Sequence, residues 1–278
     1  MKQLFILILL VFSLTACTNE SENFVVEESG TNDPKIEETE LQDENDAVEI
    51  SNDEDVEPAD QVEDPVLEEN LSAAMIDLDV PFQSQAPHRN WGMPYQEACE
   101  EAVLILAHRY FNNQTITADQ MDEEIKSVVD WQMDKFGSYT DTSLAEVDQI
   151  AREYYNLNTE ITDDISLDNI KNQLADGNLV IVPTAGRLLG NPYYSNLGPI
   201  YHYILIRGYD GDQFITNDVG IMSGRGYKFK FKTVLNAIHD LPEDENDEPI
   251  RLYEADMTDE QKAMSILRGE ARILIIKK

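Results

Sequence analysis

From Thr18 to Asn70 the chain holds roughly 20 acidic residues, one base, Lys35, and one aromatic residue, Phe24. No other stretch restricts the fold so strongly. Such a segment has too little apolar surface to offset the entropy of ordering its backbone. It is expected to be a solvated, self-repelling spacer, with a cation- or partner-binding tail as the alternative. About 55 flexible residues reach roughly 40 Å root-mean-square, and more where like charges extend them. Folding is thereby confined to the C-terminal part, about Ala73 to Lys278, one domain's worth of chain with ample Val, Ile, Leu, Tyr and Phe. The formal net charge of -35 argues against a nucleic-acid partner, because phosphates are repelled. There is no GxxxxGK[ST] phosphate loop and no repeat at a solenoid period.

Ahead of the spacer the chain reads MKQLFILILLVFSLTAC. Its apolar run, Leu4 to Leu14, is shorter than the about 20 residues that span a bilayer. A positive start, a short apolar core and small residues before a cut site mark a secretory signal. Leu14-Thr15-Ala16-Cys17 resembles the lipobox of bacterial lipoproteins, in which the cysteine is lipidated and becomes the first residue. The resemblance implies a signal over 1–16, a lipid-anchored linker over 17–72 and a folded domain over 73–278. The lipid would hold the protein at the extracytoplasmic face of a membrane, each buried methylene contributing about 0.8 kcal/mol. Lipidation takes Cys17 out of the cysteine count. Cys99 is then a single free thiol in an exported chain, with no disulfide. A buried structural cysteine is the plainer alternative for it.

Within the domain, residues 76–82 alternate as a short strand does, and 83–95 read as a loop. A helix is predicted from Ala98 to about Phe111, with others over 117–129, 143–155 and 166–174. Thr142 is a candidate cap for the third, and Asp164 or Ser166 for the fourth. Strands are predicted over 179–183, 203–206, 213–216, 227–231 and 272–276. Helices early and an antiparallel sheet late define the α+β class.

Cys99 falls where the loop turns into the first helix. There the positive end of the helix dipole favours a thiolate, the form that nucleophilic catalysis needs, with a histidine to take and return a proton. Glu97, Glu100 and Glu101 oppose a second negative charge, harmlessly if they face water. Of four histidines, His88 lies in the loop, His108 mid-helix and His239 in a polar C-terminal stretch. His202 opens a predicted strand beside a loop, where catalytic groups tend to be presented. If the hairpin turn centres on Asp210, His202 faces Asp218 across the sheet, close enough for a carboxylate to orient the imidazole. A turn one residue longer pairs Asp218 with Tyr203 and leaves Asn217 as the orienting group.

Gln85, Cys99 opening a helix, His202 before an apolar strand ending Gly208-Tyr209-Asp210, and Asn217-Asp218 together resemble the C39-like peptidase family. The stretch Val80 to Gln85 is similar to that family's opening strand and glutamine. The resemblance implies a papain-like cysteine peptidase fold with helices packed on an antiparallel sheet, acting on a peptide or protein substrate. It implies Cys99 as nucleophile, His202 as general base and acid, Asp218 as orienting group and Gln85 as donor to the oxyanion. Gln96 competes for that last role, being close to Cys99 in sequence. Two positions depart from the family pattern: Glu100 stands where a small residue is usual, and Val219 where proline is usual. No cofactor is implied, and the histidines lack metal-ligand spacing with cysteine. The reaction is expected to be hydrolysis through an acyl-enzyme. Acyl transfer to an amine, or peptide or cell-wall binding without catalysis, are the alternatives. The loop 186–199, with Tyr193, Tyr194 and the nearby Tyr201, is expected to line the cleft, ordinary packing being the alternative for those tyrosines.

Overall fold

The computed structural model describes residues 75–278; the expected signal, Cys17 and the whole acidic linker lie outside them. In chain order the elements are β1 (Ile76–Asp77), α1 (Cys99–Phe111), α2 (Ala118–Phe136), α3 (Leu144–Glu153), β2 (Asn158–Thr162), α4 (Leu167–Ala175), β3 (Leu179–Ala185), β4 (Tyr201–Asp210), β5 (Gln213–Asn217), β6 (Arg225–Lys230), α5 (Phe231–Ala237), α6 (Asp259–Ile266) and β7 (Ile273–Lys277). The strands form one antiparallel sheet in the order β2-β7-β3-β4-β5-β6. β1 pairs with Gly208 and Tyr209, beyond the reach of β3 along β4. This is the expected α+β architecture, helices packed on an antiparallel sheet. No helix among the described residues is long and apolar enough to cross a membrane.

Alternation along the strands sorts the core into two layers. Leu179, Ile181, Tyr203, Leu205, Leu274 and Ile276 pack with α1, α2 and α3. Val180, Val182, Ile204, Ile206, Phe214 and Ile273 face the other way, toward Ile170 and Leu174 of α4 and Val234 of α5. Both faces of the sheet are covered, which is why its central strands are apolar runs rather than half-polar ones.

Local chemistry sets the helix ends. Thr117 with Gln120, and Ser143 with Glu146, form reciprocal capping boxes at the starts of α2 and α3. Ser143 therefore takes the capping role expected of Thr142. Ser166 caps α4, while Asp164 accepts the Ser166 amide. α2 runs seven residues past its predicted end, to Phe136, and is capped by Gly137, whose φ of +76° suits a residue without Cβ. Buried Gln132 extends its inner stripe.

Other differences have tertiary causes. β2, sequence NTEIT, is mostly polar and becomes a strand by pairing with β7. Phe231 opens α5 instead of ending β6, and α6 has no counterpart among the predicted elements. The strand expected over 76–82 stops at Asp77, and Val80 N–H turns back to the Leu78 carbonyl. The hairpin between β4 and β5 has a two-residue Gly211–Asp212 loop and a bulge between Ile206 and Gly208. Leu205 then faces Asn217, so His202 and Asp218 are not the cross-strand partners that a turn at Asp210 would make them.

α1 has a distinct position. Its residues from Cys99 to Ala107 are buried without a break, because it is enclosed by β4, α2 and α3. Leu104→Ala in this helix is expected to lower unfolding stability by about 2–5 kcal/mol. Met133→Ala, on the exposed side of α2, is expected to change it by about 0.5 kcal/mol or less. Urea unfolding of the two variants checks both; equal effects would contradict the enclosure of α1.

Candidate active site

The loop after Pro81 delivers the chain to the start of α1. Gln85, buried, donates from Nε2 to the carbonyls of Tyr95 (2.9 Å) and Gln96 (3.2 Å). It thereby ties down the 3-10 turn Tyr95–Glu97 that leads into Cys99. Both N–H groups of the Gln85 amide are engaged in this way, and its Oε1 is buried without a partner. Gln96 is exposed, and its Nε2 donates to Glu97 at 3.3 Å. No side chain caps α1. Its first backbone N–H groups have no intrahelical acceptor.

His202 is the second residue of β4, one position inside the strand expected to begin with it. Asp218 comes directly after β5. Their side chains meet although their backbones are out of register: His202 Nε2 lies 2.9 Å from Asp218 Oδ1. The pair is buried, at 2 % and 0 % exposure. Asp218 Oδ1 also accepts the Gly220 N–H (3.1 Å), and Oδ2 accepts Asn191 Nδ2 (2.8 Å) and the Tyr194 hydroxyl (2.7 Å). Burial pushes the Asp218 carboxyl up, but the hydrogen bond and charge of His202, with Tyr194 and Asn191, hold it below the usual carboxylate range. An ionised Asp218 accepts, so Nε2 carries the hydrogen and Nδ1 is the basic nitrogen of the ring. Tyr194 packs edge-on against the imidazole, with ring centroids 5.7 Å apart. A Cβ on Gly220 would stand 2.8 Å from His202 Cε1, so the close approach of this loop needs glycine.

Sequence pattern points to His202 and Asp218 but not to Asn191 or Gly220. The loop 186–199 is expected to line a cleft; Asn191 and Tyr194 instead hold the carboxylate. Its Gly, Asn and Pro content signals a loop and says nothing of the partner. Asn217, the fallback for orienting His202, is committed elsewhere: it donates to Pro81 O and accepts from Gly226. The other histidines have other partners. His88 meets Asp119, His108 packs on Tyr155, and His239 meets the Gly269 carbonyl.

Cys99 is a buried free thiol. Its Sγ bonds Glu100 Oε2 at 3.0 Å, and no hydrogen bond joins it to His202 among the described residues. Burial pushes the thiol well above its ordinary range, and the charge and hydrogen bond of Glu100 push further; the Tyr203 backbone amide favours the thiolate. Desolvation thus opposes the helix dipole. The glutamates, expected to be harmless if they face water, are mostly inside: Glu100 is 2 % exposed and Glu101 0 %. Burial, then the charge of Glu101, raises Glu100 well above the carboxylate range. Burial raises Glu97 and Glu101 to about 7. Glu101 accepts from Gln132 through Oε1 and leaves Oε2 without a partner.

An antiparallel sheet bears a buried His–Asp pair and packs against a helix that opens on a cysteine. The model of the Peptidase_C39 like family matches residues 77–240, and the chain belongs to that family. Among solved structures, one described as a candidate C39-like peptidase from Bacillus anthracis is similar at 13 % identity and a TM-score of 0.42. The match covers 73 % of this chain and 98 % of that one. No curated protein matches the sequence.

The buried carboxyls have a consequence for stability. Between an ordinary value of 4.5 and a folded value of about 7, Glu101 binds more protons folded than unfolded. Its contribution to stability therefore falls as pH rises through that window. Asp218 acts oppositely: its contribution is present above the ordinary carboxylate range and is lost as pH drops below it. The thermal midpoint is expected to decline from about pH 4.5 to about pH 7, and Glu101→Gln to flatten that decline. Scanning calorimetry across the window tests this; an unaltered slope in Glu101→Gln would count against a buried, titrating Glu101.

Proposed function

We propose that the protein is an extracytoplasmic, lipid-anchored cysteine peptidase that hydrolyses peptide or amide bonds through Cys99, His202 and Asp218. The observation that carries the reading is the buried His202–Asp218 hydrogen bond on β4. Cys99 lies against the same strand, under the influence of the Tyr203 amide one residue from His202.

In this reading His202 Nδ1 takes the thiol proton, and Sγ attacks the carbonyl carbon of the scissile bond. The leaving amine receives the proton from His202, and an acyl-thioester remains on Cys99. Water, deprotonated by His202, then hydrolyses the thioester and the thiol regains its proton. Asp218 holds the imidazole in the tautomer with hydrogen on Nε2 and stabilises the imidazolium. The unpaired first-turn amides of α1 are the natural donors to the oxyanion. Gln85 supports them by holding the turn that precedes the helix, since its own N–H groups are engaged.

A second reading, a peptide- or wall-binding module without catalysis, gains from one observation: the resting thiol bonds Glu100 and not His202. A peptide-library cleavage screen separates the two. Cys99→Ala and His202→Ala are each expected to lose about a thousandfold or more of the wild-type rate. A wild type that cleaves nothing and is not labelled by acylating thiol probes would favour the binding module. Product masses with and without added amines distinguish hydrolysis from acyl transfer.

Anchoring rests on Leu14-Thr15-Ala16-Cys17. Cys17→Ser is expected to move the protein from the membrane to the soluble fraction in cell fractionation. Retention at the membrane would overturn the lipid assignment.

A further inference from the structure

Glu100 is fixed from two sides. Its Oε1 accepts the Thr142 backbone N–H at 3.2 Å, and its Oε2 lies 3.0 Å from Cys99 Sγ. A carboxyl proton cannot sit on Oε1 without facing another N–H donor, so a neutral Glu100 carries its hydrogen on Oε2, the oxygen against sulfur. Thiolate and carboxylate together would place two negative charges 3.0 Å apart in a site without solvent, which burial disfavours strongly.

We propose that, once the pair has lost one proton, Cys99 and Glu100 share the other, held either as S–H donating to the Oε2 carboxylate, the direction of the resting contact, or as Oε2–H donating to the thiolate sulfur, so that Glu100 competes with the nucleophile for it. The proposal rests on Cys99 being the nucleophile and adds a second proton-bearing group at its sulfur. The pair has three arrangements. With both groups neutral, the site is at rest. Loss of the S–H proton to His202 Nδ1 breaks the S–H bond and forms an N–H bond, while Glu100 keeps its O–H and supports the thiolate. Transfer of the shared proton from Oε2 to sulfur gives the carboxylate–thiol form, which carries the same net charge and is not nucleophilic.

The surroundings favour a neutral Glu100. Glu101 on α1 and Asp141 before α3 both raise its proton affinity by their charge, and Glu97 precedes the helix. Tyr201 and Tyr203 of β4 and Tyr194 of the 186–199 loop stay protonated, with burial as the main cause for each. Asp240 lies behind the two β4 tyrosines, bonding Tyr201, and His202 belongs to Asp218. The cations of these elements are engaged elsewhere: Arg251 with Glu146 and the Asp141 carbonyl, Arg272 with Asp240, and Lys262 with the Tyr253 carbonyl.

The test is an ultraviolet titration of the Cys99 thiolate in the full chain, read as the difference from Cys99→Ala. Glu100→Gln cannot ionise yet keeps an N–H for the sulfur. It is expected to lower the Cys99 midpoint by about one pH unit or more, about tenfold in thiolate at a given pH. Glu101→Gln removes a neighbouring charge but no atom at the sulfur, and is expected to shift the midpoint less. An unmoved midpoint in Glu100→Gln, or an equal shift in Glu101→Gln, overturns the proposal. If Glu100→Gln does not fold, the reciprocal measurement applies, because two coupled groups shift each other equally. Carbon-13 NMR of the Glu100 carboxyl should then show its midpoint rising in Cys99→Ala, where the S–H donor is gone; no change overturns the shared proton. None of these readouts needs turnover. A protein that cleaves no peptide leaves them intact, and a peptidase with an unmoved Cys99 midpoint refutes proton sharing alone.

Discussion

The structure depends on the enclosure of α1. Nine successive residues, from Cys99 to Ala107, have no face toward solvent. A helix in the interior normally carries apolar residues all round, and Val103 to Ala107 do so. Its first turn breaks that rule with Cys99, Glu100 and Glu101. Three ionisable groups are taken out of water where the helix meets the sheet, and burial raises the proton affinity of each. Placing the thiol against β4 and suppressing its ionisation are one event. The same packing that brings Cys99 to the strand of His202 removes the solvent that would stabilise a thiolate.

Asp218 shows the opposite outcome, for it is as deeply buried but stays ionised. Four donors account for the contrast, namely His202, Gly220 N–H, Asn191 and Tyr194. A buried charge is tolerated where hydrogen bonds replace its hydration. Asp240 is a further buried acid with several hydrogen-bond partners: Tyr201, the amides of Leu144 and Leu241, and Arg272. It joins the start of α3 to β4 and to the segment entering β7, so the frame around the site is stiffened by polar groups as well as by core packing.

Much of the fold is legible locally. The strand runs at 179–183 and 203–206, the helix from Cys99 and the turn at Gly211 arise from apolar periodicity and turn chemistry. β2 is not legible, because Asn158 to Thr162 become a strand only through β7, over a hundred residues away. The expected His202–Asp218 pairing rests on a hairpin register that the structure corrects. A two-residue loop and a bulge shift the ladder, yet the side chains still meet because Asp218 lies just past the end of β5, free of the ladder. Gln85 is the reverse case: its position marks it as a site residue, but its amide is engaged by the carbonyls of Tyr95 and Gln96.

The sequence by itself determined the α+β class and the separation of an acidic, aromatic-poor stretch from an apolar-rich domain, and it marked a thiol, an imidazole and a carboxylate as candidates to pair. Composition and short-range periodicity carry the class and the separation, since they act within a few residues, and the resemblance to the C39-like family carries the candidates. The tertiary structure alone decided the charge states. Glu100 and Glu101 read as solvated flanking acids until α2, α3 and the sheet close over them, and nothing in the sequence shows Asn191 and Tyr194 arriving from a distant loop to hold Asp218. Burial and hydrogen-bond supply set a group's ionisation, and both are properties of what packs around a residue rather than of its neighbours in the chain.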